Sequence, residues 1–342
     1  MITAWTSCHS GSPVDGKVCQ LQVESPLIPT VQIYRATSEL THPRGVPVEY
    51  FSQQTIMKTI YLKLFIELPV LVFARYIRLI GKLLKKDDKL ITQRLRDIVN
   101  NIIPATFNHS GIIFDATTKT STSRGIRLLT KEPDTINWLD DYLAIKDTFY
   151  DVGANIGVYS LYAAKKGNAV IAIEPESSNY ALLNKNIYLN SFEQKIFALN
   201  LALYDREVLS TLNMNNYQPG KSGHSFHDEA DLYLNPGKPR FRQAVIGMPL
   251  DTLVYRYNLA FPNLIKIDVD GNEHKILSGM SKILKDQRLK SIAIETDDRI
   301  DTHQKIERKL RDVGFKLLTD PRYRNDQYEQ IKTSLNRFYF RG

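Results

Sequence analysis

The stretch FYDVGANIGVYSLYAAKKGNAVIAIEPE, from Phe149 to Glu176, constrains the fold of this chain more than any other. Apolar residues at 149–152 predict a buried strand, Gly153 and Gly157 predict a tight turn, and IGVYSLYAAKK is compatible with a helix. A second apolar strand, AVIAIE, follows that helix. Alternation of this kind predicts a parallel sheet that is covered by helices on both faces.

The turn in this stretch resembles a dinucleotide-binding turn that lacks one glycine. In the fingerprint G-x-G-x-x-G, the middle glycine lets the backbone approach a pyrophosphate, and an acid about 20 positions later binds ribose hydroxyls. Here Asn155 takes the middle position, which argues against NAD or FAD, whereas Glu174 keeps the carboxylate. The pattern favours a nucleoside without a diphosphate. S-adenosylmethionine fits this description, and its ammonium group would suit Asp151.

Composition limits the class of protein and its partners. The 342 residues exceed one average domain, and 43% are hydrophobic, which is enough for a sizeable core. The formal net charge of +8 is modest, and no basic stretch is interleaved with aromatic residues, so we expect no nucleic-acid partner. Cys8 and Cys19 form no CxxC motif, and the N-terminus lacks an apolar signal core, so we expect a reduced, cytoplasmic chain. No pattern indicates an oligomeric state.

Three segments are predicted along the chain. Residues 1–50 contain scattered prolines without a sustained period and are predicted to be loop-rich or partly disordered. Residues 51–129 are predicted to form an extension that is first helical and then β-rich, because GIIFDATTKTSTSRGIRLLT alternates and carries many β-branched residues. Residues 130–342 are predicted to form the α/β domain.

The extension contains one apolar stretch, Leu64 to Ala74, that is too short to cross a bilayer. The basic segment Arg75 to Lys86 follows it, so the two together could lie at a membrane surface in a weak peripheral contact. Packing of this segment as a helix on the α/β domain is the interpretation that we favour.

Within the α/β domain, the alternation continues to the C-terminus. Helices are predicted at 156–166 and 177–190, over EHKILSGMSKILK, and in a last segment that Gly314 closes. A polar excursion is predicted between the third and fourth strands. Strands are predicted at 148–152, 169–173, 195–201, LIKIDV, KSIAIE, and a terminal pair KLLT and LNRFYF.

Several motifs in order resemble the FkbM family of S-adenosylmethionine-dependent methyltransferases. They are KEPDTINWLDD, DVGANIG, AIEPE with the downstream NKNIYLN, and LIKIDVDGNEHKILSGM, and together they span Thr130 to Glu295. The resemblance implies a Rossmann-like, seven-stranded methyltransferase sheet and methyl transfer, usually to a hydroxyl of a sugar or natural product. SGHS, Ser222 to Ser225, resembles a small-residue segment of these enzymes. Asp270 stands where the family often has Glu.

The candidate site residues come from the turn and the strand ends. The cofactor candidates are Asp151, Gly153, Asn155, Gly157, Glu174, Pro175 and Ala202. The catalytic candidates are Asp268, His274 and Glu295, of which Asp268 comes first because it follows the buried strand LIKI. Helix capping by the neighbouring acids is the alternative role for this cluster. His224 and His227 are further candidates to contact an acceptor from the excursion.

Asp268, Asp270, Glu273 and Glu295 could together supply oxygen ligands to a divalent metal. Strand ends and helix capping explain the same residues, so we expect no metal. The favoured function is O-methylation of a sugar hydroxyl in a glycan or glycolipid, with S-adenosylmethionine as donor. The alternatives are methylation of a small secondary metabolite or an amine, and a cofactor-binding scaffold without activity. The intact DVGANIG and AIEPE segments argue against the scaffold.

Overall fold

The structure is a computed structural model that divides into two compact units, residues 1–97 and 98–342. It describes residues 3–9, 18–25, 28–35, 105–227, 239–297, 302–323 and 334–342, with a few positions between 69 and 98.

The N-terminal unit contains an antiparallel sheet in the order β1 (Thr3–His9), β2 (Val18–Ser25) and β3 (Ile28–Arg35). The expectation of a loop-rich segment over residues 1–50 was therefore wrong for these strands. Two residues, Pro26 and Leu27, connect β2 to β3, which is the shortest common hairpin connection, and Pro29 is tolerated as the second residue of β3. The predicted helices of residues 52–103, including Leu64 to Lys86, lie largely outside the described residues. In the described part of the chain, no helix has the length and apolar content that crossing a bilayer requires.

The second unit begins with a hairpin and a helix: β4 (Thr106–His109), β5 (Ile112–Asp115) and α1 (Lys119–Ile126). The helix contradicts the prediction that this region is β-rich beyond residue 115. Thr118 caps α1, because its side chain accepts the backbone N–H of Ser121 at 3.0 Å while the Ser121 hydroxyl accepts the N–H of Thr118 at 3.3 Å. Reciprocal capping of this kind starts a helix in spite of β-branched residues.

A seven-stranded sheet organises the second unit. Its order is β15-β16-β14-β13-β6-β7-β8, with β8, β7, β6, β13 and β14 parallel and β16 antiparallel to both of its neighbours. The strands are β6 (Thr148–Val152), β7 (Ala169–Ile173), β8 (Ile196–Leu199), β13 (Leu264–Ile267), β14 (Ser291–Asp297), β15 (Phe315–Leu317) and β16 (Ser334–Arg341). The predicted Rossmann-like methyltransferase sheet, including its terminal pair, is confirmed.

A smaller four-stranded sheet occupies the excursion between β8 and β13, in the order β11-β10-β12-β9. Its strands are β9 (Ala202–Leu203), β10 (Val208–Met214), β11 (Ser225–Phe226) and β12 (Phe241–Met248). The sequence predicts a polar excursion here but does not predict its strands. The pairing of β10 with β12 joins residues that are about 30 positions apart, so it leaves no local signal in the sequence.

Helices cover both faces of the main sheet. Since successive residues of each strand point to opposite faces, neighbouring residues belong to different cores. Phe149 and Leu264 belong to a core with α2, α3 and α4, whereas Tyr150 and Ile265 belong to a core with α5, α6 and α7. The helices are α2 (Pro133–Tyr142), α3 (Val158–Lys165), α4 (Ser177–Leu189), α5 (Leu250–Arg256), α6 (Glu273–Ser278) and α7 (Thr302–Asp312), with 3-10 turns at Ile283–Lys285 and Pro321–Tyr323.

Candidate active site

A pocket opens at the carboxyl ends of the parallel strands, between β6 and β13. At this point the order of the strands reverses: β7 and β8 follow on one side of β6, and β13 and β14 follow on the other. Ligands of open α/β sheets bind in this position. Residues from the two sheets, from α1 and from the loop before β11 line the pocket. They are Arg124, Lys131, Glu132, Val152, Gly153, Asn155, Ile173, Glu174, Pro175, Asn179, Leu201, Ala202, Leu203, Leu212, Lys221, Ser222, His224, Phe226, Asp268, Val269, Asp270, Asn272 and Glu295.

The turn after β6 forms one side of the pocket. Gly153 has a φ of +80°, and a Cβ atom at this position would lie 1.9 Å from the carbonyl oxygen of Asp268. The backbone N–H groups of Gly153 and Ala154 donate to the carbonyl of Ile173 at 2.9 and 3.0 Å. A side chain at Gly153 would therefore push the end of β6 away from the end of β13.

Glu174 is buried against this turn, and backbone donors hold both of its oxygens. The N–H of Asn155 donates to Oε2 at 2.7 Å, and the N–H of Glu176 donates to Oε1 at 2.8 Å. Burial raises the pKa of Glu174 to about 7 in spite of these bonds. The side chain of Asn179 also interacts with this carboxylate, and because a carboxylate has about four lone-pair positions, some acceptor capacity remains for a group in the pocket.

Residues 219–224, which we call the strap, run across the pocket from α4 to the end of β13. The side chain of Asn179 accepts the N–H of Gly220 at 2.7 Å, and the amide of Asn155 donates to the carbonyl of Lys221 at 2.8 Å. At the other end, Asp270 accepts the N–H of Gly223 at 2.7 Å. Asn155 thus joins the turn to the strap, and Asp270 fixes the strap rather than pointing freely into the pocket.

A buried lysine organises the carboxylates on the β13 side. Lys266 has a side chain that is only 2% exposed, and its Nζ lies 2.7 Å from Oδ2 of Asp268 and 4.0 Å from Oε2 of Glu132. Lys131 pairs with the same Glu132 at 2.5 Å. Burial opposes the ionised form of Asp268, but the attraction of Lys266 outweighs burial and lowers the pKa of Asp268. Asp268 is therefore a charged, weakly basic group at the pocket wall.

The pocket brings together most of the predicted site residues. Those that line it are Gly153, Asn155, Glu174, Pro175, Ala202, Asp268 and Glu295. His224 also lines the pocket, whereas His227 is absent from its wall and interacts instead with Ser210 at 2.9 Å and Arg206 at 3.0 Å.

Three predicted residues lie outside the pocket wall, which corrects their expected positions. Asp151 is 1% exposed and accepts the hydroxyl of Ser160 at 2.6 Å, because its place in β6 turns it toward the helix-covered face. Gly157 begins α3 with a φ of +87°, and a Cβ there would lie 2.4 Å from a methyl group of Leu183. His274 lies half-buried in α6, away from the pocket wall.

Sequence reasoning missed Lys266, Glu132 and the cations Arg124, Lys131 and Lys221. A signal for Lys266 existed, because a single charge inside the apolar strand LIKI needs a buried partner. Within the described residues, no group of three or more His, Cys, Asp or Glu side chains is placed to hold a metal ion.

The comparisons with known proteins agree with this architecture. The Methyltransferase FkbM domain matches residues 151–317. The chain is 25% identical to Methyltransferase sdnD of Sordaria araneosa over 204 residues, which cover 53% of this chain and 78% of that one. It is also 25% identical to Hexuronic acid methyltransferase AglP of Haloferax volcanii over 179 residues, which cover 52% of this chain and 66% of that one.

A crystal structure of Methyltransferase FkbM from Methylobacillus flagellatus KT aligns with a TM-score of 0.36 and 17% identity, over 57% of this chain and 44% of that one. The family match covers the turn, Glu174, the strap and the β13 end, whereas Arg124, Lys131 and Glu132 of the pocket wall lie before it. Residues 151–317 of the chain therefore match an FkbM methyltransferase domain, the family that the sequence motifs resemble.

Proposed function

We propose that this protein transfers the methyl group of S-adenosylmethionine to a hydroxyl group of a sugar, in a glycan or glycolipid. The observation that carries the proposal is a single pocket with two chemically different sides. The side near β7 offers the buried carboxylate of Glu174, and the side near β13 offers the carboxylates of Asp268 and Glu295. The hexuronic acid methyltransferase among the relatives supports a sugar as the acceptor.

The residues on the β7 side fit the nucleoside part of the cofactor. The remaining acceptor capacity of Glu174 suits the hydroxyls of a ribose, and Gly153 leaves room for the methionyl tail beside the turn. Pro175 and Ala202, with Leu201 and Leu203, supply an apolar wall for the adenine. When bound, S-adenosylmethionine supplies a methyl group that its sulfonium has already made electrophilic.

The residues on the β13 side would position the acceptor. A hydroxyl group of the acceptor would donate to the carboxylate of Asp268, which would orient the acceptor oxygen in the pocket. Lys266 keeps this carboxylate ionised, so Asp268 can accept a hydrogen bond at any physiological pH. Orientation supplies much of the barrier reduction in such reactions, on the order of 7–11 kcal/mol in favourable cases. Glu295 is the second carboxylate that can receive the hydroxyl proton.

The charge balance favours a hydroxyl over an amine as the acceptor. An amine cation would need unpaired carboxylates, yet Lys266 neutralises Asp268, and Lys131 and Lys266 neutralise Glu132. A neutral hydroxyl needs only one acceptor with correct geometry. A sugar and a hydroxylated secondary metabolite both offer such a group, and the experiment below separates them.

The test is incubation of the full chain with labelled S-adenosylmethionine and cell extracts that are fractionated into glycans, lipids and small metabolites. We expect label in the glycan or glycolipid fraction. Label in small metabolites or amines alone would overturn the sugar assignment, and cofactor binding without any transfer would favour the scaffold. We expect a chelator to leave transfer unchanged.

The role of Asp268 is tested on the same labelled fraction. Asp268→Asn should lower turnover per folded molecule more than it lowers cofactor affinity, because the variant loses charge and keeps size. Glu207→Gln is the matched control, since Glu207 forms a surface ion pair with Arg256 at 2.5 Å and does not line the pocket. Full activity of Asp268→Asn would move the catalytic assignment to Glu295 or His224.

A further inference from the structure

Two cations in the pocket wall have side-chain nitrogens that no described residue accepts from. Arg124 of α1 uses only Nε, which donates to the carbonyl of Gly220 at 2.5 Å. Its two terminal nitrogens have no acceptor among the described residues, and neither does Nζ of Lys221. Both residues line the same pocket. Because Lys221 follows Gly220 directly, the backbone of Lys221 lies next to the carbonyl group that Arg124 binds.

The carboxylates of the pocket, in contrast, are held by the protein itself. Lys131 and Lys266 pair with Glu132, and Lys266 pairs with Asp268. Two backbone N–H groups bind Glu174, and the N–H of Gly223 binds Asp270. The charged donors that remain available to a ligand on the strap side are therefore those of Arg124 and Lys221.

The scaffold holds Arg124 and the backbone of Lys221 in place before any ligand binds. Gly220 has a φ of +85°, and a Cβ there would lie 3.1 Å from the backbone nitrogen of Ser121 in α1. The hydroxyl of Thr118 also donates to the carbonyl of Pro219 at 3.4 Å. The strap thus packs directly on the helix that carries Arg124. A guanidinium group held in this way can bind a carboxylate or phosphate through two parallel hydrogen bonds.

We propose that Arg124 and Lys221 form an anion subsite, and that the acceptor carries a carboxylate or phosphate group near the hydroxyl that is methylated. This inference rests on the proposed function and narrows its substrate class to acidic acceptors. The carboxylate of the cofactor's methionyl tail is the competing ligand for these cations. The two explanations differ in one measurable respect, because only an acceptor subsite leaves cofactor affinity independent of Arg124.

The experiment measures ligand binding by calorimetry to the full chain saturated with S-adenosylhomocysteine. The probes are glucuronate and glucose 6-phosphate, with glucose as the neutral match. We expect at least one anionic probe to bind about ten-fold more tightly than glucose, which is the lower end for a charge-assisted hydrogen bond at a partly open site. The preferred probe identifies carboxylate or phosphate. Its affinity should fall with added salt.

Arg124→Gln and Lys221→Gln should remove most of this preference while S-adenosylhomocysteine keeps its affinity. Arg127→Gln is the matched control, because Arg127 lies at the exposed end of the same helix and outside the pocket. Equal or undetectable binding of charged and neutral probes would overturn the inference alone. A large loss of S-adenosylhomocysteine affinity in Arg124→Gln would assign the cations to the cofactor. Failure of the wild type to bind S-adenosylhomocysteine would overturn the proposed function as well.

Discussion

Glu174 is a buried carboxyl group whose ionisation should control cofactor affinity. Burial raises its pKa to about 7, and only the ionised form offers acceptors to both ribose hydroxyls. Binding should therefore favour ionisation, so affinity for S-adenosylmethionine should rise as the pH increases from about 6 to about 8. Calorimetry across this range measures the dependence, which should be absent in Glu174→Gln.

The contribution of the Glu174 hydrogen bonds to cofactor affinity can be separated from the effect of a change in net charge. Glu174→Ala should weaken binding markedly, since each charge-assisted hydrogen bond contributes about 1.5–3 kcal/mol. Glu193→Gln removes the same charge from an exposed position and should bind the cofactor like the wild type. Unchanged affinity in folded Glu174→Ala protein would refute the ribose assignment.

Gly153 and Gly167 offer a paired test of close packing at the cofactor turn. Both glycines have positive φ, at +80° and +103°, so alanine strains the backbone at either position. Only at Gly153 does the new Cβ also collide with backbone, 1.9 Å from the Asp268 carbonyl, whereas nothing lies within 4 Å at Gly167. We expect Gly153→Ala to lose about 1–3 kcal/mol more unfolding free energy than Gly167→Ala in urea titrations. Equal losses would mean that the turn relaxes.

Local patterns could predict the residues that follow the glycine turn, but not the residues that pair across the fold. Asn155 and Glu174 belong to one strand, turn, helix and strand unit, so their spacing alone indicates a shared site. Lys266 and Glu132 lie 134 positions apart and meet only because α2 packs beside β13. Asp151 was predicted from its position at a strand end, but its environment depends on a contact across the fold. Ser160 of the covering helix α3 donates to it and buries it.

At the scale of elements, Lys266 joins β13 to the start of α2 through buried ion pairs. Lys266→Met would leave Asp268 without its 2.7 Å partner and Glu132 without its neighbour. Breaking a buried pair in this way costs about 3–5 kcal/mol of unfolding free energy. Lys290→Met is the control, because Lys290 is 48% exposed where it pairs with Asp147, and such pairs contribute about 0–1 kcal/mol. Urea titrations that give similar small losses for both variants would contradict the network.

The elements that were predicted well are those whose signal is local and apolar. β6 and β7 have the predicted limits, because a fully buried parallel strand is a short apolar run that ends at a turn or a charge. The interpretation failed at α1, where capping outweighed β-branched composition. It also failed at β10 and β12, where the strands are defined by pairing with each other.

At the scale of the whole molecule, the hairpin and helix of residues 106–126 are part of the α/β core rather than of an extension. Ile112 and Phe114 are fully buried in the core beneath α2, α3 and α4. The side chain of Asn186 in α4 accepts the N–H of Asp115 at 2.8 Å, and the side chain of Asn190 bonds to the backbone of Ile113 at 2.7 and 2.8 Å. The boundary predicted at residue 130 would cut through these contacts.

Two fragments test where the domain begins. Residues 98–342 contain the whole pocket and both cores of the main sheet, so this fragment should unfold cooperatively and bind S-adenosylhomocysteine with the affinity of the full chain. Residues 130–342 lack the β5 side chains that fill the core and lack Arg124, so this fragment should melt at lower temperature and bind a dye for exposed apolar surface. Differential scanning calorimetry and dye fluorescence measure both effects. If the two fragments proved equally stable, the hairpin would be an appendage, and the domain boundary would return to residue 130.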